Sequence, residues 1–242
     1  MNLATKRAQS TLTLNGNPVK TVPPESKDTF PVVAAHQLRV PDEAVRVATK
    51  LRAQLSKQDQ IILFAGINER NGVAELASQV AQTLMHLEKE CVLVVDADIS
   101  RPSVHDRYSM PLTPGLSDVV AGGDVFTIAR PVADGSLYVL PAGNSKLDVR
   151  DLFTSAAFQP WLETLRAQFR FVIINIAPVL TDVAASLICP MADGVVLAAR
   201  TEKQRRSEVQ AARNELKSLN TRVLGIVLFE QQPENASSKP GK

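Results

Sequence analysis

Six short runs, at 61–65, 92–95, 137–140, 171–174, 195–199 and 223–228, are apolar along their whole length rather than alternately apolar and polar. A strand with one face in water keeps polar residues at every second position; a strand with none has both faces covered. The stretches between the runs carry helical patterns. Leu76, Val80, Leu84 and Leu87 form one stripe, Phe158, Trp161, Leu162 and Leu165 a second, and Val209, Ala212, Leu216 and Leu219 a third on a helix that Thr201 could cap. Strands buried on both faces and alternating with amphipathic helices imply right-handed crossovers. The expected fold is α/β: a doubly wound, mostly parallel sheet with helices on both faces.

Residues 1–40, rich in Thr, Ser, Asn, Pro and Lys without periodicity, predict a disordered arm, and 231–242 a short disordered tail. The globular part is expected over 41–230. A net charge of +2 on 242 residues gives no basic field, so nucleic acid is not an expected partner. The longest nearly apolar stretch, 171–180, is broken by Asn175 and is well short of the roughly 20 residues a membrane helix needs. The N-terminus lacks the apolar run of a secretory signal, so a cytoplasmic location is expected. Cys91 and Cys189, each within apolar sequence, suit buried thiols, and His36, His86 and His105 lack zinc-ligand spacing.

In doubly wound sheets, ligands bind at the carboxyl ends of the strands. The run VLVVDADISRP places Asp96 and Asp98 at such an end, where two carboxylates suit a hydrated Mg²⁺ or a water to be activated, and where Asp is equally a turn former and helix cap. The first strand leads into AGINERNGVAEL, a glycine-containing turn that opens a helix.

Together with RPSVH, TPGLSDVVAG, LPAG, FRFVIINIAPVL and DGVVLAAR in this order, these segments resemble the bacterial tyrosine kinase family, from about residue 43 to 228. These are P-loop proteins of deviant Walker type from capsule and exopolysaccharide export. The resemblance implies an ATP-binding, Mg²⁺-dependent domain, peripheral to the inner face of the plasma membrane, that works with a membrane-embedded chain-length co-polymerase and assembles with further copies of itself.

Departures from the family pattern concentrate in the nucleotide site. The family's phosphate loop ends Gly-Lys-Ser/Thr-Ser/Thr; here Arg70 and Asn71 precede Gly72, Val73 takes the lysine position, and Ala74 and Glu75 take the hydroxyl positions. The DxDxR motif keeps Asp96 and Asp98 but has Ser100 at the arginine position, with Arg101 one residue later. Asn175 stands where an Asp would hold metal through water, and Phe229 where relatives carry an Asn that can contact adenine. Each lost charge-assisted hydrogen bond is worth about 1.5–3 kcal/mol. Phosphoryl transfer rests on positioning and electrostatics, so these losses should harm catalysis more than binding. Glu75 would add repulsion near the phosphates, whereas Arg70, swung into the loop, would supply the missing positive charge.

Relatives accept phosphate on a C-terminal tyrosine cluster. This chain has Tyr108 and Tyr138 alone, Tyr138 expected packed in its strand and Tyr108 exposed. The family's Glu-x-x-Arg-x-x-Arg interface helix retains Glu43 and Arg46, with Thr49 at the third position; Glu43 and Arg46 could equally form a surface pair. Arg200, Lys203, Arg205 and Arg206 read as a solvated face, and His105 as a packed or capping residue. The expected function is a tyrosine-kinase-like regulator of polysaccharide polymerisation or export without catalysis of its own. The alternatives are an atypical autokinase or ATPase using Arg70, Asp96 and Asp98 with ATP and Mg²⁺, or a relative of the partition ATPases.

Overall fold

The computed structural model describes residues 41–70, 72–132, 135–143, 148–200 and 205–229, side chains of Arg200 and Phe229 excepted. It also describes the backbone of a two-residue antiparallel pair, Thr13–Leu14 with Asn17–Pro18. The rest of the expected arm and the tail lie outside the described residues, as do the expected roles of Asn71, Thr201, Lys203 and the Phe229 side chain.

The chain enters through α1 (Asp42–Gln54) and β1 (Ile61–Gly66), then α2 (Val73–Glu88) and β2 (Val92–Asp96). Three short helices follow, α3 (Val104–Arg107), α4 (Leu116–Val120) and α5 (Val125–Ile128), before β3 (Arg130–Val132) and β4 (Leu137–Leu140). Next come α6 (Val149–Thr154), α7 (Phe158–Arg166), β5 (Phe171–Ile176) and α8 (Val183–Ile188), then β6 (Gly194–Arg200), α9 (Arg206–Ser218) and β7 (Val223–Phe229). The sheet order is β3-β4-β2-β5-β1-β6-β7, with every neighbouring pair parallel except β3 with β4.

All six apolar runs are strands of this one sheet, and its doubly wound architecture is the expected one. Alternate residues of one strand serve opposite faces. Ile62 and Phe64 of β1 pack with Val92, Val94, Phe171 and Ile173 beneath α1, α2 and α3; Ile61 and Leu63 pack with Leu93, Val95, Val172 and Ile174 beneath the helices of the other face. Every residue of β1, β2, β4 and β5 is buried. The strand at 92–96 lies next to the central strand, β5.

One expectation changes. Leu87, placed on the α2 stripe by its spacing, is exposed in the last turn of α2. Arg205 is the N-cap of α9, and the Glu208 carboxylate accepts its backbone N–H at 2.8 Å. No helix among the described residues is long and apolar enough to cross a membrane.

Candidate nucleotide site

The loop from β1 to α2 turns tightly over its own first residue. A Cβ on Gly66 would lie 1.7 Å from the Glu69 carbonyl oxygen, so only glycine fits there. Gly72, the N-cap of α2, has φ of 79°, the left-handed region that glycine enters without strain. Backbone bonds from Val179 N to Gly66 O and from Leu180 N to Ile67 O, both 3.0 Å, fasten the segment after β5 to this loop. Val73 and Ala74 are buried in the core beneath α1 and α2. Where a phosphate loop presents an ammonium and a hydroxyl, this one presents apolar side chains turned inward.

Asp96 ends β2 fully buried, directly opposite Asn175 in the β2–β5 register. Its Oδ1 accepts Asn175 Nδ2 at 2.9 Å and the Asp98 amide at 3.3 Å; its Oδ2 accepts the amides of Ser103 at 2.7 Å and Val104 at 2.9 Å. Burial pushes the carboxyl above the usual range, against these four donors, which favour its charged form. All four contacts are to N–H groups, and two of them fix the start of α3. This is the bonding of a structural carboxylate.

Asp98, also buried, meets Arg70 instead. Arg70 Nε donates to Asp98 Oδ2 at 2.5 Å, and Arg70 Nη2 donates to Asp182 Oδ2 at 2.7 Å and to Ser100 Oγ at 3.1 Å. Ser100 Oγ lies 3.1 Å from Asp98 Oδ1 and 3.3 Å from Asp182 Oδ2. Burial raises the Asp98 carboxyl, and the Arg70 guanidinium opposes the rise. Arg70 therefore turns toward the carboxylates rather than supplying charge to the phosphate loop. The arrangement includes a residue that sequence reasoning missed. Asp182 is the N-cap of α8 and accepts the Ala184 amide at 3.0 Å; its signal was an Asp just before a helix, a few residues beyond β5.

Other expected site residues also take definite places. Glu75 is paired with Arg107 of α3 and accepts from Gln79, so its charge is neutralised away from the loop rather than aimed at phosphates. Tyr108, expected exposed, is buried at the end of α3, and Tyr138 is buried in β4 as expected. His105 is half-buried beside Asp106 at 3.3 Å. Arg101 is exposed, and only its amide reaches Asp98, at 3.3 Å. Glu43 and Arg46 are both exposed on α1, and no ion pair joins them. The Arg52–Glu88 pair links the C-terminal ends of α1 and α2, so Glu43 and Arg46 lie at the same end of the sheet as the loop.

A Mg²⁺-nucleotide does not fit these residues. Asp96 is saturated by N–H donors, Asp98 and Asp182 are held by a guanidinium, Asn175 Nδ2 donates to Asp96, Val73 and Ala74 are buried and apolar, and Glu75 is paired with Arg107. Among the described residues no three His, Cys, Asp or Glu are grouped to hold a metal ion.

The sheet order and the loops at its carboxyl edge define a P-loop NTPase fold. Within that class the chain is similar in sequence to bacterial tyrosine-protein kinases, and no family model matches it. It is 26% identical over 182 residues to the tyrosine-protein kinase ptk of Acinetobacter johnsonii, covering 75% of this chain and 25% of that protein. It is 25% identical over 178 residues to the putative tyrosine-protein kinase CapB of Staphylococcus aureus, covering 73% and 78%. The chain thus spans a quarter of the first relative and most of the second. Among solved structures, the VpsO kinase domain superposes with a TM-score of 0.73 at 20% identity, over 81% of this chain and 98% of that one. That likeness establishes the fold.

Proposed function

We propose that this chain is a non-catalytic, tyrosine-kinase-like regulator of exopolysaccharide or capsule polymerisation that acts through a membrane-embedded chain-length co-polymerase. The observation that carries the reading is the Arg70 contact with Asp98 and Asp182, 2.5 and 2.7 Å. The acidic groups that would hold the metal of a phosphoryl transfer are spent on the protein's own cation. Without metal and without the loop lysine, the charge that develops on a transferring phosphoryl group has nothing to stabilise it.

The scaffold meanwhile keeps two continuous apolar cores and an exposed α1 face bearing Glu43 and Arg46. A folded domain with a filled site acts through its surface, and relatives with tyrosine-kinase names, CapB among them, support the polysaccharide setting. In this reading the domain lies at the inner face of the plasma membrane because its partner does, and the α1 face serves docking to that partner or to another copy.

The test is polysaccharide yield and co-purification with the co-polymerase for two variants at matched protein levels. Asp98→Asn should leave both nearly normal, while Glu43→Ala/Arg46→Ala should lower both. Loss of output from the first with normal output from the second contradicts the proposal.

A further inference from the structure

Three loops leaving the carboxyl ends of three different strands meet at one side chain. Arg70 belongs to the loop after β1, Asp98 and Ser100 to the loop after β2, and Asp182 to the loop after β5. A metal-bound nucleotide in a P-loop site ties the phosphate loop to carboxylates on neighbouring strand ends. Here a guanidinium ties the same elements.

We infer that Arg70 is the resident cation of this site: it replaces a divalent metal as the tie between the three loops and masks a latent divalent-cation site formed by Asp98, Asp182 and Ser100. This rests on the reading that the site has left Mg²⁺-nucleotide chemistry, and it adds what has taken the metal's place. Two carboxylate oxygens within hydrogen-bond reach of one side chain carry a local charge of two negatives, which burial of Asp98 makes hard to leave unpaired. Arg70 answers that charge from inside the chain. Its Nε addresses one carboxylate and its Nη2 the other, a division that a single ammonium cannot make from a planar, preset fork. The tie is made by groups of the chain itself and does not require a nucleotide.

Metal and guanidinium exclude each other. A divalent ion held by Asp98 and Asp182 would compete with Arg70 for the same two carboxylates and would meet its positive charge. Removing the charge while keeping the carboxylates should open oxygen ligands suited to a hard cation, with water completing the shell. Asp96 is not among them, since its oxygens face four N–H donors.

The experiment measures Mn²⁺ binding by electron paramagnetic resonance, and amide exchange at 98–104 and 180–185, on the full chain and on Arg70→Ala, Arg70→Gln and Arg70→Lys. Thermal melts verify that each variant is folded, and Arg70→Gln, which keeps length and a donor, decides if Arg70→Ala is not. The expected result is that Arg70→Gln and Arg70→Ala bind Mn²⁺ at least about tenfold more tightly than the wild type, the effect of losing one charged contact. Their two loops should exchange at least about tenfold faster without metal and recover with it. Arg70→Lys, which keeps the charge, should still exclude Mn²⁺, and adding Asp98→Asn and Asp182→Asn to Arg70→Gln should remove the gained binding. Equal Mn²⁺ affinity in wild type and folded Arg70→Gln overturns the inference, as does a gain in Arg70→Lys equal to that in Arg70→Gln. Both readouts are taken without ATP, so they can fail while the absence of turnover stands, and the reverse.

Discussion

Asn175 Nδ2 donates to Asp96 Oδ1 at 2.9 Å between directly paired positions of β5 and β2, with both side chains buried. An amide at 175 completes the donor set around Asp96. A carboxylate there would face another carboxylate in the core, tolerable with a metal or proton between them and costly without. An amide rather than a carboxylate at 175 thus suits the buried Asp96.

Asn175→Asp should therefore destabilise the fold by about 3–5 kcal/mol near neutral pH, the usual cost of an uncompensated buried charge. The two acids would share a proton, with a folded-state pKa raised above the unfolded value of about 4. A raised folded pKa means that the deficit grows as pH rises through that value and shrinks toward pH 4. Urea denaturation across this range measures it; a deficit independent of pH contradicts the pairing.

Loss of Arg70 should act on Asp98 in the same direction. Burial already raises this carboxyl and the guanidinium opposes the rise, so Arg70→Ala leaves it higher still. The expected cost at neutral pH is about 1–3 kcal/mol, toward the lower end because Arg70 is 24% exposed and partly screened. It should fade on acidification through the folded pKa of Asp98, where the unpaired charge disappears. A loss that increases toward acid would contradict the assignment.

The strands were legible because sheets buried on both faces write themselves as unbroken apolar runs, and β1, β2 and β5 do so. The edge strand β3 was not, since Arg-Pro-Val is neither apolar nor alternating, and a proline suits an edge. The one-turn helices α3, α4 and α5 are too short to show a period. In the site, Val73, Ala74 and Asn175 could be read against a motif, but the aim of Arg70 could not. Its partners lie 28 and 112 positions away, on loops that only the sheet order brings together. Tyr108 and Glu75 differ from expectation for the same reason: α3 folds back onto α2, burying one and giving the other Arg107.

Restoring the motif lysine alone should not restore the site. Val73→Lys removes a buried apolar side chain and places an ammonium at the edge of the core, an expected loss of about 2 kcal/mol. With Asp98 and Asp182 still held by Arg70, titration with a fluorescent ATP analogue should show no Mg²⁺-dependent gain in affinity. A gain from this substitution alone would mean that the carboxylates are free to take metal.

Both thiols should be silent in the native state. Cys91 and Cys189 are buried, and burial pushes the Cys189 thiol up to about 12, so almost no thiolate is present at pH 8. Reaction with an aromatic disulfide reagent should be absent without denaturant and reach two thiols in urea. Rapid native labelling would place one of them at the surface.

A P-loop fold whose Asp98 and Asp182 are held by Arg70 should carry out no phosphoryl transfer. Inorganic phosphate release from Mg²⁺-ATP by the purified chain, compared with Asp98→Asn, tests it most directly. No release above the protein-free rate is expected from either protein; Mg²⁺-dependent release by the wild type that Asp98→Asn abolishes would contradict a site without catalysis.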